Sequence, residues 1–219
     1  FIRNNENLIV EEQQSDFVRY VLSSDELTKQ SYPFDFEFSI QFTIEGPILT
    51  VSHKVKNLGE KPMYFSLGGH PAFRCPLKVG ENYDDYELKL ESHEKASITL
   101  VDVKNGLIID KTKLMLDNDD VIKLSETIFD DDALIFKELN SNSISLNHKS
   151  RGKVLSVDIS EFPYLGIWAK PKSDFVCIEP WIGIADSVNH NQELKDKDGS
   201  ITLEPNKIFE ASYSIEVFE

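Results

Sequence analysis

From Phe36 to Ile44 the chain alternates: Phe36, Phe38, Ile40, Phe42 and Ile44 are apolar, and Glu37, Ser39, Gln41 and Thr43 between them are polar. A period of two puts the large side chains on one face of a strand and the polar ones on the other, a pattern that a helix cannot satisfy. Glu45-Gly46-Pro47 reads as a turn, and Leu49, Val51, His53 and Val55 then resume the alternation, which predicts a hairpin. The chain closes on the same rule with Phe209, Ala211, Tyr213, Ile215 and Val217. Residues 4–22 read as strands. So do Tyr86–Leu90, Ala96–Val103, Leu107–Leu116, Ala133–Phe136, Ser143–His148, Lys153–Ser160, Leu165–Ala169 and Phe175–Glu179, with Asp117-Asn118-Asp119-Asp120 as a polar turn. The helical signal is Ser23-Ser24-Asp25-Glu26, a hydroxyl three residues before a glutamate, which predicts a capping box for a short helix ended by Pro33. About a dozen short strands without crossover helices predict an all-β, antiparallel sandwich or barrel and exclude parallel α/β architectures.

The 219 residues suffice for one large domain, and no linker or repeat divides them. With 23 basic against 38 acidic residues the formal charge is -15, which repels nucleic acid and anionic lipid and argues against both as partners. Two cysteines, Cys75 and Cys177, are too few for a disulfide framework. They read as reduced thiols, and a cytoplasmic location is expected from them. No apolar run reaches the roughly 18 residues that span a bilayer.

Chemistry is expected at Ser66-Leu67-Gly68-Gly69-His70-Pro71-Ala72-Phe73. Two glycines can adopt backbone angles closed to other residues and let a ligand come close, while Pro71 holds His70 extended. On this evidence a turn histidine satisfied in the core and a presented acid/base group are equally good readings of His70. Glu179 shares a strand face with Phe175 and Cys177, and a carboxylate there is costly to bury unless it is paired or used. Taken alone, a strand-end glutamate turned to solvent is the simpler reading. Pro180 should break the ladder after it, and Trp181 offers a flat surface of the kind that stacks on sugars. His53 and His148 read as core or edge histidines, and His93 and His190 as solvent-exposed. Leu194 and Pro205 stand where a calcium loop around Asp196 and Asp198 would need carboxylates. No zinc spacing, phosphate loop or nucleophile elbow occurs, so neither metal nor cofactor is expected.

Four segments in register, Leu67-Gly68-Gly69-His70-Pro71-Ala72-Phe73, Asp132-Ala133-Leu134-Ile135-Phe136, Tyr164-Leu165-Gly166-Ile167-Trp168 and Cys177-Ile178-Glu179-Pro180-Trp181, resemble the aldose 1-epimerase (galactose mutarotase) superfamily, in particular its LacX-like branch. The resemblance implies a large β-sandwich of the galactose-mutarotase type that binds a sugar on one concave sheet. It implies His70 as general acid, Glu179 as general base and Asp132 as a sugar-hydroxyl ligand. Phe1-Ile2-Arg3 is similar to the end of a His-Gly-Phe-x-Arg segment of that branch, which implies Arg3 as a site residue. It also implies that residues 1–219 form one such domain lacking its first strands.

The expected activity is therefore interconversion of the α and β anomers of a hexose, with a small sugar as partner. A hexose 6-phosphate would require cationic side chains, of which Arg74, four residues past His70, is the candidate. A carbohydrate-binding module without catalysis, using Trp181 and Trp168, is the alternative from another class. The motifs specify neither the sugar nor the oligomeric state.

Overall fold

The computed structural model describes residues 7–218, so Arg3 lies outside the described residues. In chain order the strands are β1 (Ile9–Gln13), β2 (Phe17–Ser23), β3 (Phe36–Glu45), β4 (Ile48–Asn57) and β5 (Met63–Phe65). Next come β6 (Ala72–Arg74), β7 (Tyr86–Asp102), β8 (Leu107–Lys123), β9 (Leu134–Lys137) and β10 (Ser143–His148). β11 (Gly152–Asp158), β12 (Tyr164–Trp168), β13 (Phe175–Trp181), β14 (Ile201–Leu203) and β15 (Ile208–Val217) follow, and a turn-and-a-half α-helix, α1, spans Glu26–Ser31. The fold is all-β and its strand ladders are antiparallel, as the alternation requires. Among the described residues no helix is long and apolar enough to cross a membrane. The chain divides into two compact units, one running through Phe65 and including Ile201–Ile215, the other built on Ser66–Ser200.

In the first unit β1, β2, β3, β4 and β15 lie side by side and β5 pairs with β14. The β3/β4 ladder runs without a break from Phe36 opposite Asn57 to Glu45 opposite Ile48. Gly46, at φ +58, takes the first position of the two-residue turn, where a positive φ matches the twist of the flanking strands. The apolar face of the hairpin buries Phe36, Phe38, Val51 and Val55. His53 is buried among them, with its ring stacked between Phe38 and Tyr213 at centroid distances of 6.3 and 6.0 Å. The capping box of α1 begins at Asp25, two residues later than the sequence suggests. The Asp25 side chain accepts from Thr28 N at 2.7 Å, and Thr28 Oγ1 accepts from Asp25 N at 2.8 Å. Ser24 is engaged elsewhere, its Oγ accepting from Phe36 N at 3.1 Å.

In the second unit the order is β11, β10, β7, β9, β12, β13, β6, with β8 paired to β7. Two expectations are corrected here. The runs Tyr86–Leu90 and Ala96–Val103 belong to one continuous strand, and Asp117–Asp120 lies within β8 instead of forming a turn. The register shifts where Glu94 opposes Asp119 and Lys95 opposes Asp117, and Asn118 takes φ +57, so the extra residue is absorbed as a bulge. Acidic side chains at this position suit a peripheral strand, whose outer side must not attract another sheet.

Glu94 is buried beside that bulge and accepts from Ser141 N at 2.7 Å, Ser141 Oγ at 2.8 Å and Asn140 Nδ2 at 2.9 Å. A second polar cluster joins Glu81 to Arg151, to the Tyr86 hydroxyl and to Lys78 N. His148 is buried with them, its Nε2 3.7 Å from Glu81 and its ring edge-on to Tyr86. His190, expected in solvent, is also largely enclosed, with Nδ1 3.9 Å from Asp186 Oδ2.

Candidate active site

The site is built on β13. In an extended strand alternate side chains share a face, so Cys177, Glu179 and Trp181 project from the same side. Gly166 of β12 stands opposite Glu179, while Ala72 of β6 stands opposite Cys177. Pro180 does not break the ladder, as it pairs with Leu165 and its carbonyl accepts from Gly69 N at 2.9 Å. Two more bonds, Ile182 N to Leu67 O at 2.7 Å and Ile178 N to Pro71 O at 3.3 Å, fasten the segment before β6 along the end of β13. His70 lies between these anchor points and is thereby presented over Glu179.

Nε2 of His70 is 3.4 Å from Oε2 of Glu179. The two side chains differ sharply in exposure, 63% for His70 and 2% for Glu179. Oε2 is buried without a hydrogen-bond partner, so the approach is close enough for an ion pair and not aligned as a hydrogen bond. Burial pushes the Glu179 carboxyl up to about 7, opposed by hydrogen bonding from the Trp181 side chain. A buried carboxyl that titrates near neutrality can take or hold a proton under working conditions, which an ordinary surface glutamate does poorly.

His70, Glu179 and Trp181 line an open cleft of about 320 Å³ whose other walls are Ser66–Gly69 and Gly183–Ala185. Gly68 serves a purpose that its sequence does not suggest. Neither Gly68 nor Gly69 is among the glycines with positive φ. A Cβ on Gly68 would stand 2.6 Å from Cδ1 of Trp181, and one on Gly166 would stand 2.5 to 2.8 Å from three atoms of its six-membered ring. The two glycines are therefore the seat of the indole, which lies across the sheet from one to the other. Its inner side packs on a cluster of Ile108, Ile135 and Ile184. Sequence reasoning reached Trp181 but not this seat, because the glycine at Gly166 acquires meaning only from the ring that covers it.

Of the remaining candidates, neither Arg74 nor Asp132 lines this cleft. Arg74 pairs with Phe175, on the same face as Glu179 but about 13 Å along the strand. Asp132 stands before β9 with φ +85, its Oδ1 accepting from Ala133 N at 2.7 Å, and it is not among the cleft-lining residues. Cys75 and Cys177 are free and buried. Among the described residues two groups of side chains could hold a cation, His70 with Cys177 and Glu179, and the set of His93, Asp119 and Asp120.

A family model described as aldose 1-epimerase matches residues 1–216. The chain is 33% identical over 221 residues to the plasmid-borne protein LacX of Lactococcus lactis subsp. lactis, a match spanning 99% of this chain and 73% of the relative. It superposes with a TM-score of 0.88 and 33% identity on a galactose mutarotase related enzyme from Lactobacillus acidophilus, covering 97% of this chain and 71% of that one. A galactose mutarotase-like protein from Lactobacillus casei ATCC 334 gives a TM-score of 0.87 at 23% identity, covering 96% and 73%, a likeness of fold.

Proposed function

The chain belongs to the aldose 1-epimerase family, and from that premise we propose that it interconverts the α and β anomers of an aldose, with Glu179 as base and His70 as acid. The observation that supports this reading is the 3.4 Å approach of an exposed imidazole to a buried, unpartnered carboxylate oxygen at the wall of an open cleft. Anomer exchange needs two proton transfers at neighbouring atoms, because the anomeric hydroxyl and the ring oxygen are bonded to the same carbon. Acid and base must therefore stand close together.

Ionised Glu179 removes the proton of the anomeric hydroxyl as His70 protonates the ring oxygen. The bond between that oxygen and the anomeric carbon breaks, giving the open-chain aldehyde. Rotation about the adjoining carbon–carbon bond turns the other face of the carbonyl to the ring hydroxyl. On closure His70 takes the hydroxyl proton back and Glu179 returns its own to the new anomeric oxygen, so both groups end as they began. Trp181, seated on its glycines, offers a fixed apolar wall for the sugar ring beside Glu179.

The test is anomer exchange followed by polarimetry or NMR in His70→Asn and Glu179→Gln. A positioned proton transfer contributes about 10²- to 10⁴-fold, and each variant is expected to lose that much while remaining folded. Exchange at the wild-type rate in either variant removes that residue from the mechanism. Faster exchange of a hexose 6-phosphate than of the free hexose would move the reading to a phosphorylated substrate, with Arg74 the first residue to examine.

A further inference from the structure

We propose that His70, Cys177 and Glu179 form a binding site for a thiophilic divalent cation such as Zn²⁺, and that filling it switches off proton transfer in the cleft. The three side chains offer a ring nitrogen, a sulfur and a carboxylate oxygen, all within 4.8 Å of one another. Zinc takes this donor set tetrahedrally, with bonds of about 2.0 to 2.3 Å, so neighbouring donors stand roughly 3.3 to 3.6 Å apart. The separation of His70 Nε2 from Glu179 Oε2, 3.4 Å, already falls in that range.

The pre-existing order of the site is uneven in a useful way. Cys177 and Glu179 are two residues apart on one strand face and are buried to 1% and 2% exposure, so their positions are held by the sheet. His70 is the exposed member and supplies the adjustment that closes the coordination sphere. Glu179 Oε2 has no hydrogen-bond partner, which leaves its lone pairs free for a cation.

Charge balance favours the same assignment. On ligation the Cys177 thiol releases its proton to solvent, and thiolate plus carboxylate then neutralise the dication while the imidazole binds uncharged. Three protein donors leave a fourth position for water or a sugar hydroxyl. The formal charge of -15 draws cations toward the chain as a whole. A bound cation occupies the lone pairs of both His70 Nε2 and Glu179, so neither can move a proton.

The switching half rests on the proposed proton shuttle, whereas metal binding does not, and the two are read separately. Tag-free, chelator-treated protein is titrated with Co²⁺ as a spectroscopic probe and with Zn²⁺ by calorimetry. One equivalent is expected to bind with a sulfur-to-cobalt charge-transfer band. That band should disappear in Cys177→Ala and persist in Cys75→Ala, which removes the other free cysteine. Affinity should fall at least tenfold in His70→Asn and in Glu179→Gln. Absence of stoichiometric binding, or a charge-transfer band that survives Cys177→Ala, overturns the site. Anomer exchange that continues undiminished at full Zn²⁺ occupancy overturns the switch alone.

Discussion

The six-membered ring of Trp181 occupies the space in which a side chain on Gly166 would stand, with three of its atoms 2.5 to 2.8 Å from an ideal Cβ there. Since Gly166 is the cross-strand partner of Glu179, the indole is held beside the carboxylate by the residue opposite it. The carboxylate and the ring beside it are thus positioned by one pair of strands.

Gly166→Ala should therefore act on the cleft through Trp181. Overpacking of this kind typically costs about 1 to 3 kcal/mol, and relief comes most easily by tilting the ring toward the open cleft. Anomer exchange should fall at least tenfold, accompanied by a change in tryptophan emission, while far-ultraviolet circular dichroism is retained. An unchanged rate together with unchanged emission would refute the seat.

The Glu179 carboxyl, raised from 4.5 to about 7 by burial, makes a signed prediction for stability in metal-free protein. Between these values the unfolded chain has released the proton and the folded chain still holds it. Stability therefore declines as pH rises from about 4.5 to about 7, then levels off. The full shift corresponds to roughly 3 kcal/mol. Glu179→Gln, which has no charge to bury, should be more stable than the wild type at pH 8 by on the order of 1 to 3 kcal/mol and show no gain at pH 4.5, as measured by urea denaturation.

In the proposed mechanism the same carboxyl acts on the rate in the opposite sense. Its basic form accumulates as pH rises through about 7, so kcat/KM for anomer exchange should fall on the acid side of neutrality. A rate that stays flat from pH 8 to pH 5 excludes Glu179 as the base.

Glu81 predicts an acid limb of different origin. Hydrogen bonding from Arg151, above the weaker help of Tyr86 and Lys78 N, holds its carboxyl down at about 2. Its contribution is present above the ordinary carboxylate value and is lost as pH falls toward 2. Glu81→Gln should lower the urea midpoint at pH 6 and bring the two proteins closer together at pH 2.5. A constant difference across that range would show that the charge is not what the cluster uses.

Glu94 has a purely structural expectation. Truncation to Ala leaves the buried Ser141 backbone N–H without its acceptor and the Ser141 hydroxyl with only Ser92 to bond. A loss of about 3 kcal/mol is expected, with anomer exchange per folded molecule unaffected. A loss below about 0.5 kcal/mol would mean that water enters and replaces the carboxylate.

Much of the molecule is fixed by local rules that a sequence displays directly. The alternation over Phe36–Ile44 and Leu49–Val55 determined β3, β4 and their register, because a slip of one residue would turn every phenylalanine to water. The four motifs around His70, Asp132, Gly166 and Glu179 determined the family. What the sequence misjudged were features set by partners distant in the chain. Asp117–Asp120 reads as a turn because acidic residues favour turns, yet pairing with Glu94 and Lys95 draws it into a bulged strand. His190 reads as exposed, yet Asp186 and its loop enclose it. Only the tertiary structure decided that Glu179 is buried with its Oε2 unpartnered, that His70 stands 3.4 Å away from that oxygen, and that two glycines on different strands seat one indole. The reason is physical: alternation fixes which face a side chain takes, while desolvation and donor geometry depend on what other strands bring against that face.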